Sequence, residues 1–293
     1  NQLPYGNVIG GSAGEAAPNI ADDPRYQYSP AFFSGYVNET DVTIGKSRSD
    51  FESDEEFETY LTNGAPKIYA SIYGGGQDGH VRRDTKVTVT GGEIGKPYTS
   101  DNQTLLKTDD LDSPQWMHRG NVYGGGSGIT KYSVSNIDEM YATGYTGDKI
   151  AASDYSTSSG SVTRYTEVNV LGGTIHRNVY GGGSNGSVGA PNLGQSYVPY
   201  QKGDTAHGPG YKSQNTVDIG GGTNVAIIGT PTGYNKTYGG EVYGACRGIS
   251  DLDPEQFANS IWTKVNIFDK ATIRGNVYGG GDNGIVKKDS ENR

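Results

Sequence analysis

A five-residue sequence, Val-Tyr-Gly-Gly-Gly, recurs along this chain and limits the folds that the chain can adopt. Close copies are Ile72–Gly76, Val122–Gly126, Val179–Gly183 and Val277–Gly281, with a degenerate copy at Val242–Cys246 and a partial one at Val8–Gly11. Such repetition indicates an array of similar structural units rather than one irregular globular core. It also directs attention to what each unit contributes: an apolar residue, an aromatic ring and a glycine corner.

A second recurring segment alternates β-branched and polar residues and then reaches glycine. Its copies are Thr40–Gly45, Thr85–Gly95, Thr166–Ile175, Asn215–Gly221 and Thr263–Ile267. This period of two predicts a strand with one buried face, on which Val87 and Val89 point inward while Lys86 and Thr88 point outward. One complete unit takes roughly 25 residues, and stacked units would form parallel sheets with strands ~4.8 Å apart.

Composition and charge exclude several classes of protein. Glycine accounts for 47 residues without a Gly-X-Y period, which excludes collagen. The net charge of −9 argues against a nucleic-acid partner, because little would neutralise the phosphates. No apolar run is long enough to predict membrane insertion within this chain. The single cysteine, Cys246, replaces a repeat glycine and is expected to be a small buried thiol.

Insertions of unequal length separate the repeated segments. The longest are Lys96–Gly120, Lys131–Thr163 and Ala190–Ser213, and they are expected to form surface loops. Ser53 to Glu56 is a capping box that predicts a short helix ending at Gly64. Similar signals predict short helices at 135–144 and after Asp253.

The paired repeat segments resemble those of right-handed parallel β-helix proteins, in particular large adhesin-like surface proteins of bacteria. The resemblance covers most of the chain outside the insertions, and it implies an all-β fold with a few short helices. It also implies a location at a bacterial cell surface or outside the cell. The same fold is used by polysaccharide lyases and glycoside hydrolases, so the resemblance leaves function open.

The repeat tyrosines are the first candidate ligand-binding residues. If the preceding valines point inward, the rings point outward and stack in a ladder of Tyr73, Tyr123, Tyr180, Tyr243 and Tyr278. An exposed aromatic strip could bind sugar rings. The alternative is a ladder covered by insertions or stabilised by ring-on-ring packing.

Catalytic candidates are few. Asp109, Asp110, Asp112 and His118 form the richest mixed cluster of ionisable residues in the chain. A glycoside hydrolase needs two such carboxylates at a defined separation, but a polar loop on a solenoid is usually just solvated, which is the favoured interpretation of this cluster. The histidines lack zinc spacing, and there is neither a phosphate loop nor a dinucleotide fingerprint, so the sequence predicts no metal and no cofactor.

The sequence therefore predicts one domain over residues 1–293, a β-solenoid of about five or six coils that belongs to a longer repeat array. Its expected function is structural or adhesive, with glycans or cell-surface proteins as partners. A carbohydrate-active β-helix enzyme is the alternative.

Overall fold

The computed structural model describes residues 6–13, 36–95, 120–128, 160–189, 214–231, 237–248 and 258–286. These residues lie mostly in strands that pair in parallel, with few helices, so the fold is largely β. The predicted helices at 135–144 and after Asp253 lie outside the described residues.

Three parallel sheets contain most of the strands. Sheet I has five strands: β3 (Thr40–Ile44), β7 (Thr85–Val89), β10 (Thr166–Val170), β13 (Gln214–Ile219) and β19 (Trp262–Ile267). Sheet II also has five: β4 (Lys67–Ile68), β8 (Glu93–Ile94), β11 (Gly173–Ile175), β14 (Ala226–Ile228) and β20 (Ala271–Ile273). Sheet III has six: β1 (Val8–Ile9), β5 (Ile72–Tyr73), β9 (Val122–Tyr123), β12 (Val179–Tyr180), β17 (Val242–Tyr243) and β21 (Val277–Tyr278).

The remaining strands form short pairs. Two are parallel: β2 (Tyr36–Val37) with β6 (His80–Val81), and β18 (Asn259–Ser260) with β22 (Ile285–Val286). Isolated parallel bridges join Val81 to Val162 and Val162 to Val188. The antiparallel pair is β15 (Thr230–Pro231) with β16 (Thr237–Tyr238).

Strand order within each main sheet follows chain order, and each repeat from Thr40 onward adds one strand to each of sheets I, II and III. The register places like on like: Val87 pairs with Val168, and Val168 with Val217. On the buried faces, the sequence repeats therefore become columns of similar apolar side chains. Both the degenerate copy at Val242 and the partial copy at Val8 take their places in sheet III.

The main core lies between the inward faces of the three sheets. It contains the predicted Val87 and Val89, together with Ile94 of sheet II and Val122 of sheet III, all fully buried. Lys86 is exposed, as the alternation predicted. In three successive repeats, a threonine at the start of the sheet I strand is hydrogen-bonded to the glycine corner after sheet III. The hydroxyls of Thr40, Thr85 and Thr166 each donate to a corner glycine carbonyl at 2.5 Å.

The predicted first helix is present. Helix α1 (Asp54–Thr59) follows a short 3-10 turn (Arg48–Asp50) and continues as a π turn (Tyr60–Gly64). The Ser53 hydroxyl accepts from the Glu56 N–H at 3.2 Å, which satisfies one unpaired donor at the helix start. Phe57 is buried, and its ring packs against those of Phe51 and Tyr60.

Candidate functional site

The five repeat tyrosines form one continuous stack of rings along sheet III. Successive ring centroids are 4.8, 4.8, 5.0 and 4.9 Å apart, and neighbouring ring planes lie within 12° of parallel. The spacing follows the strand spacing, because each ring is carried by the same position of the next strand. The predicted ladder is confirmed as a packing arrangement.

Four of the five rings are buried, which corresponds to the covered ladder that the sequence analysis gives as the alternative. Tyr73 and Tyr123 are 0% exposed, Tyr180 is 1% and Tyr243 is 8%, whereas Tyr278 is 40% exposed. The rings do point away from the valine core, since they form a separate cluster. They are nevertheless covered, so the buried rings offer no face to a sugar.

Residues after the glycine corner explain part of this burial. The Tyr180 hydroxyl accepts from Asn178 Nδ2 at 3.0 Å and donates to Asp282 Oδ2 at 3.2 Å. Arg247 forms a hydrogen bond with Tyr123 and lies 3.6 Å from Asp282. The chain thus turns at the corner and brings charged side chains over the ends of the rings.

Burial changes the ionisation of the stacked hydroxyls. It raises the pKa of Tyr73 and Tyr180 well above that of a free phenol, and the neighbouring Tyr123 adds to both shifts. Burial likewise raises the pKa of Tyr243, whose hydroxyl donates to Glu241 Oε2 at 2.7 Å. The hydroxyls of Tyr73, Tyr180 and Tyr243 are therefore neutral at physiological pH, which suits a packing role.

A polar groove on the outer face of sheet I is the candidate that sequence reasoning missed. It has a volume of about 480 Å³ and is lined by Glu39, Asp41, Asp84, Lys86, Tyr165 and Glu167 among others. Strand register brings these residues together, because Asp41, Lys86 and Glu167 occupy one column. The alternation marks such positions as outward-facing, but only the register shows that their charges meet.

The carboxylates of this groove stand beside cations. Arg164 contacts Asp84 at 3.0 Å, and Lys86 lies 3.6 Å from Glu167. Asp84 also accepts from the Tyr165 N–H at 3.1 Å. Mixed charges, hydroxyls and one aromatic ring suit a polar ligand rich in hydroxyl groups.

A second groove, of about 570 Å³, lies between the π turn and sheet II. It is lined by Leu61, Pro66, Glu93 and Val225 among others. The Glu93 carboxylate accepts a hydrogen bond from His176 Nε2 at 2.7 Å, and this pair joins two neighbouring repeats. It is a cross-strand contact within sheet II rather than part of a catalytic cluster.

The predicted catalytic candidates Asp109, Asp110, Asp112 and His118 lie outside the described residues. Of the histidines, His80 contacts Ser161 Oγ at 3.1 Å, while His176 pairs with Glu93. Within the described ranges, no three His, Cys, Asp or Glu side chains gather in a way that could hold a metal ion.

Cys246 is fully buried, as predicted. Its sulfur lies 3.1 Å from Ser260 Oγ and 3.3 Å from the Asn259 carbonyl oxygen. Burial raises the pKa of this thiol. A buried protonated thiol between two strands is a packing group, not a nucleophile.

Comparison with known protein families, curated proteins and solved structures finds no match to this chain. Across the part of the chain that the structure describes, no helix has the length and apolar character needed to span a membrane.

Proposed function

We propose that this protein is a non-enzymatic structural or adhesive β-solenoid at a bacterial cell surface or outside the cell. The observation that carries this proposal is the ladder of stacked tyrosines beside the valine core. Both columns run through successive repeats in register, which suits a rigid rod. Such a rod holds outer segments at fixed intervals.

The finer fold that we propose is a right-handed parallel β-helix forming one domain over residues 1–293. Its support is the strand order, in which each repeat visits sheets I, II and III in turn and pairs with the repeat before it. Crossover connections between parallel strands are right-handed in nearly all known sheets. An electron-microscopy reconstruction showing a left-handed path, or separate sheets in place of one tube, would overturn this assignment.

Glycans or cell-surface proteins are the proposed partners, and the groove on sheet I is the proposed contact region. Its paired carboxylates and cations, with Tyr165 and neighbouring threonines, offer donors and acceptors in alternation. This replaces the tyrosine ladder as the place to look for binding. The exposed Tyr278 belongs to the end of the stack rather than to this groove.

A glycan array and an adhesion assay test the proposed binding role. Glycan or cell binding should fall at least tenfold in the double variant Asp41→Ala/Glu167→Ala, which removes two groove carboxylates. The matched control is Asp269→Ala, an exposed acid in the turn after β19 and outside the groove. Equal binding by the groove variant and the control would overturn the assignment of the contact region.

The alternative function is that of a carbohydrate-active enzyme, and one observation favours it. Asp41 and Glu167 occupy strands two steps apart in one groove, which places their backbones roughly 9–10 Å apart. Inverting glycosidases hold their two carboxyl groups at about 6.5–9.5 Å. Against it, a glycosidase acid typically stands in apolar surroundings, whereas Lys86 lies between these two carboxylates.

Incubation with a panel of polysaccharides separates the two functions. The structural proposal predicts neither new reducing ends nor unsaturated products. Cleavage that disappears in Glu167→Gln, or in the variant Asp109→Asn/Asp110→Asn/Asp112→Asn, would establish the enzyme instead.

A further inference from the structure

Among the described residues, the repeat at 262–286 supplies the outermost strand of all three main sheets, and its outer surface is exposed. Val277 is 45% exposed, whereas the equivalent Val122, Val179 and Val242 are fully buried. Ile267 and Tyr278 are exposed in the same way, although their equivalents in earlier repeats are buried. Each repeat is buried by the one that follows it, so this surface has the shape of an unfilled repeat interface.

Backbone N–H and C=O groups along this edge are oriented so that they could pair with one more parallel strand. In an inner repeat, the Thr85 N–H donates to the Tyr165 carbonyl of the next repeat, and the Val89 carbonyl accepts from the Leu171 N–H. Thr263 and Ile267 are the equivalents of Thr85 and Val89 by register. Their N–H and C=O groups therefore point outward from β19, where no further strand lies among the described residues.

Two glycines of the last repeat, Gly279 and Gly280, have no neighbour in the described structure that would exclude a larger side chain. A methyl group built on Gly244 would meet the Gly279 carbonyl oxygen at 2.6 Å, because the next repeat packs directly against that corner. Gly124 and Gly181 are equally restricted by the repeats that follow them. Methyl groups on Gly279 and Gly280 would meet nothing within 4 Å, so this corner is open to close backbone approach.

Charge along one column of sheet I indicates the residue type that would lie against this edge. The column reads Asp41, Lys86, Glu167, Thr216 and Lys264, so acidic and basic residues alternate where charges are adjacent. The Lys86–Glu167 contact of 3.6 Å shows that neighbours in this column pair. An acidic residue is therefore the complement of Lys264.

We propose that the open end of the last repeat binds a further polypeptide repeat of the same strand-and-glycine type. The incoming segment adds one parallel strand to each sheet, places glycine against Gly279 and Gly280, and sets an acidic side chain beside Lys264. This interface continues the one between residues 214–248 and 258–286. The proposal does not depend on the adhesive role or on the groove.

A second copy of this chain is a poorer occupant than a separate repeat. At the opposite end of sheet I, Val42 and Ile44 are 8% and 7% exposed and so are already covered. Head-to-tail association would require that end to be as open as the end at β19.

The test uses a synthetic peptide of residues 166–183, which spans β10, β11 and β12 without interruption. It carries Glu167 at the position that would face Lys264. We expect saturable binding of the labelled peptide to the full chain, measured by fluorescence anisotropy. Binding should weaken at least tenfold for the protein variant Gly279→Ala/Gly280→Ala, whose own melting temperature should not change.

A charge exchange provides an independent check. The protein variant Lys264→Glu should weaken binding, and the peptide variant Glu167→Lys should restore it. A peptide with Val168→Asp and Val170→Asp should not bind, because those valines would enter the core column.

Three results would overturn the proposal. They are no saturable binding by the unmodified peptide, equal binding to the Gly279→Ala/Gly280→Ala protein, or self-association of the chain that the peptide competitively inhibits. The last result would identify a second copy as the occupant.

Discussion

In the repeated sequence, the tyrosine position needs a large side chain, whereas the glycine position next to it excludes any side chain. Tyr180 fills space completely and stacks on the ring of Tyr123, while Gly181 leaves no room for a single methyl group. The strand carries both because its residues alternate between the valine core and the tyrosine column, and the chain then turns at glycine. Substitutions at these two kinds of position should therefore fail for different reasons.

Replacing Gly124 by alanine should destabilise the protein by at least ~1–3 kcal/mol, the usual cost of overpacking. The added methyl group would overlap the Gly181 carbonyl oxygen, and Thr166 Cβ and Val168 Cγ2, each 3.0 Å away, limit relaxation. Urea denaturation followed by circular dichroism measures the change. Gly279→Ala is the matched control, since its methyl group meets open space; equal losses in both variants would refute the steric explanation.

Tyr180→Ala should cost ~3–5 kcal/mol, as for other buried aromatic truncations. Tyr180→Phe keeps the ring and loses only the hydrogen bonds to Asn178 and Asp282, so its cost should be about 1 kcal/mol. The free energies of unfolding of the two variants, compared in urea, separate ring stacking from hydrogen bonding. Equal losses would mean that the hydroxyl contacts, not the stack, carry the stability.

The alternating sequence pattern predicted which strand residues face the core, but it did not decide whether the tyrosine rings are buried or exposed. Val87 and Val89 are buried and Lys86 is exposed because alternation alone sets the face of a strand. Tyr180 is buried between rings of other repeats, and its hydroxyl donates to Asp282, which lies two repeats further along the chain. No spacing rule within one repeat contains that contact.

At the scale of elements, α1 differs from the strands because local chemistry specifies it. The Ser53 cap and the contact of the Glu56 carboxylate with the Glu52 N–H fix its start. Phe51, Phe57 and Tyr60 then bring their rings together, with Phe51 5.3 Å from Phe57 and 5.0 Å from Tyr60. This helix was predictable from sequence for the same reason: cap, first turn and apolar face lie within one short segment.

Ser53→Ala should destabilise this helix by about 1 kcal/mol, the usual value of an N-cap. The Glu56 N–H would lose its acceptor, so its hydrogen exchange should accelerate while that of strand β7 stays unchanged. Thr62→Ala is the control, because the Thr62 hydroxyl only donates to the Glu58 carbonyl behind it. Faster exchange throughout β7 would show that the helix and the sheets open as one unit.

At the scale of the whole molecule, the columns join repeats that are far apart in sequence. Sheet I was predicted strand by strand, yet the groove on its outer face was not. Asp41 and Glu167 are separated by more than a hundred residues, and they share a surface only because the register holds through β3, β7 and β10. Sequence showed which residues point outward, but register decides which of them meet.

The buried tyrosines should make the fold sensitive to alkali. Burial raises the pKa of Tyr73, Tyr180 and Tyr243 in the folded chain, whereas unfolded tyrosines titrate near pH ~10. Their stabilising contribution is thus complete below about pH 10 and is lost as pH rises beyond it, because only the unfolded chain ionises readily.

Urea unfolding midpoints measured across this pH range provide the check. The loss of stability with pH should be smaller for Tyr180→Phe, which removes one of the three hydroxyls. Tyrosinate absorbance should rise together with the loss of circular dichroism. Ionisation of these residues in a chain that keeps its circular dichroism would contradict the assigned burial.

At one corner of the molecule, the connection between strands varies in length while the pairing of the strands stays the same. Residues 163–165 alone link Val162 to β10, whereas the equivalent link from Val188 to β13 includes residues 190–213. Thr166 still pairs with Asn215 as it does with Thr85. Connections at that corner can therefore differ greatly in length without changing the strand pairing, so evolution can exchange outer segments there while the sheets stay the same.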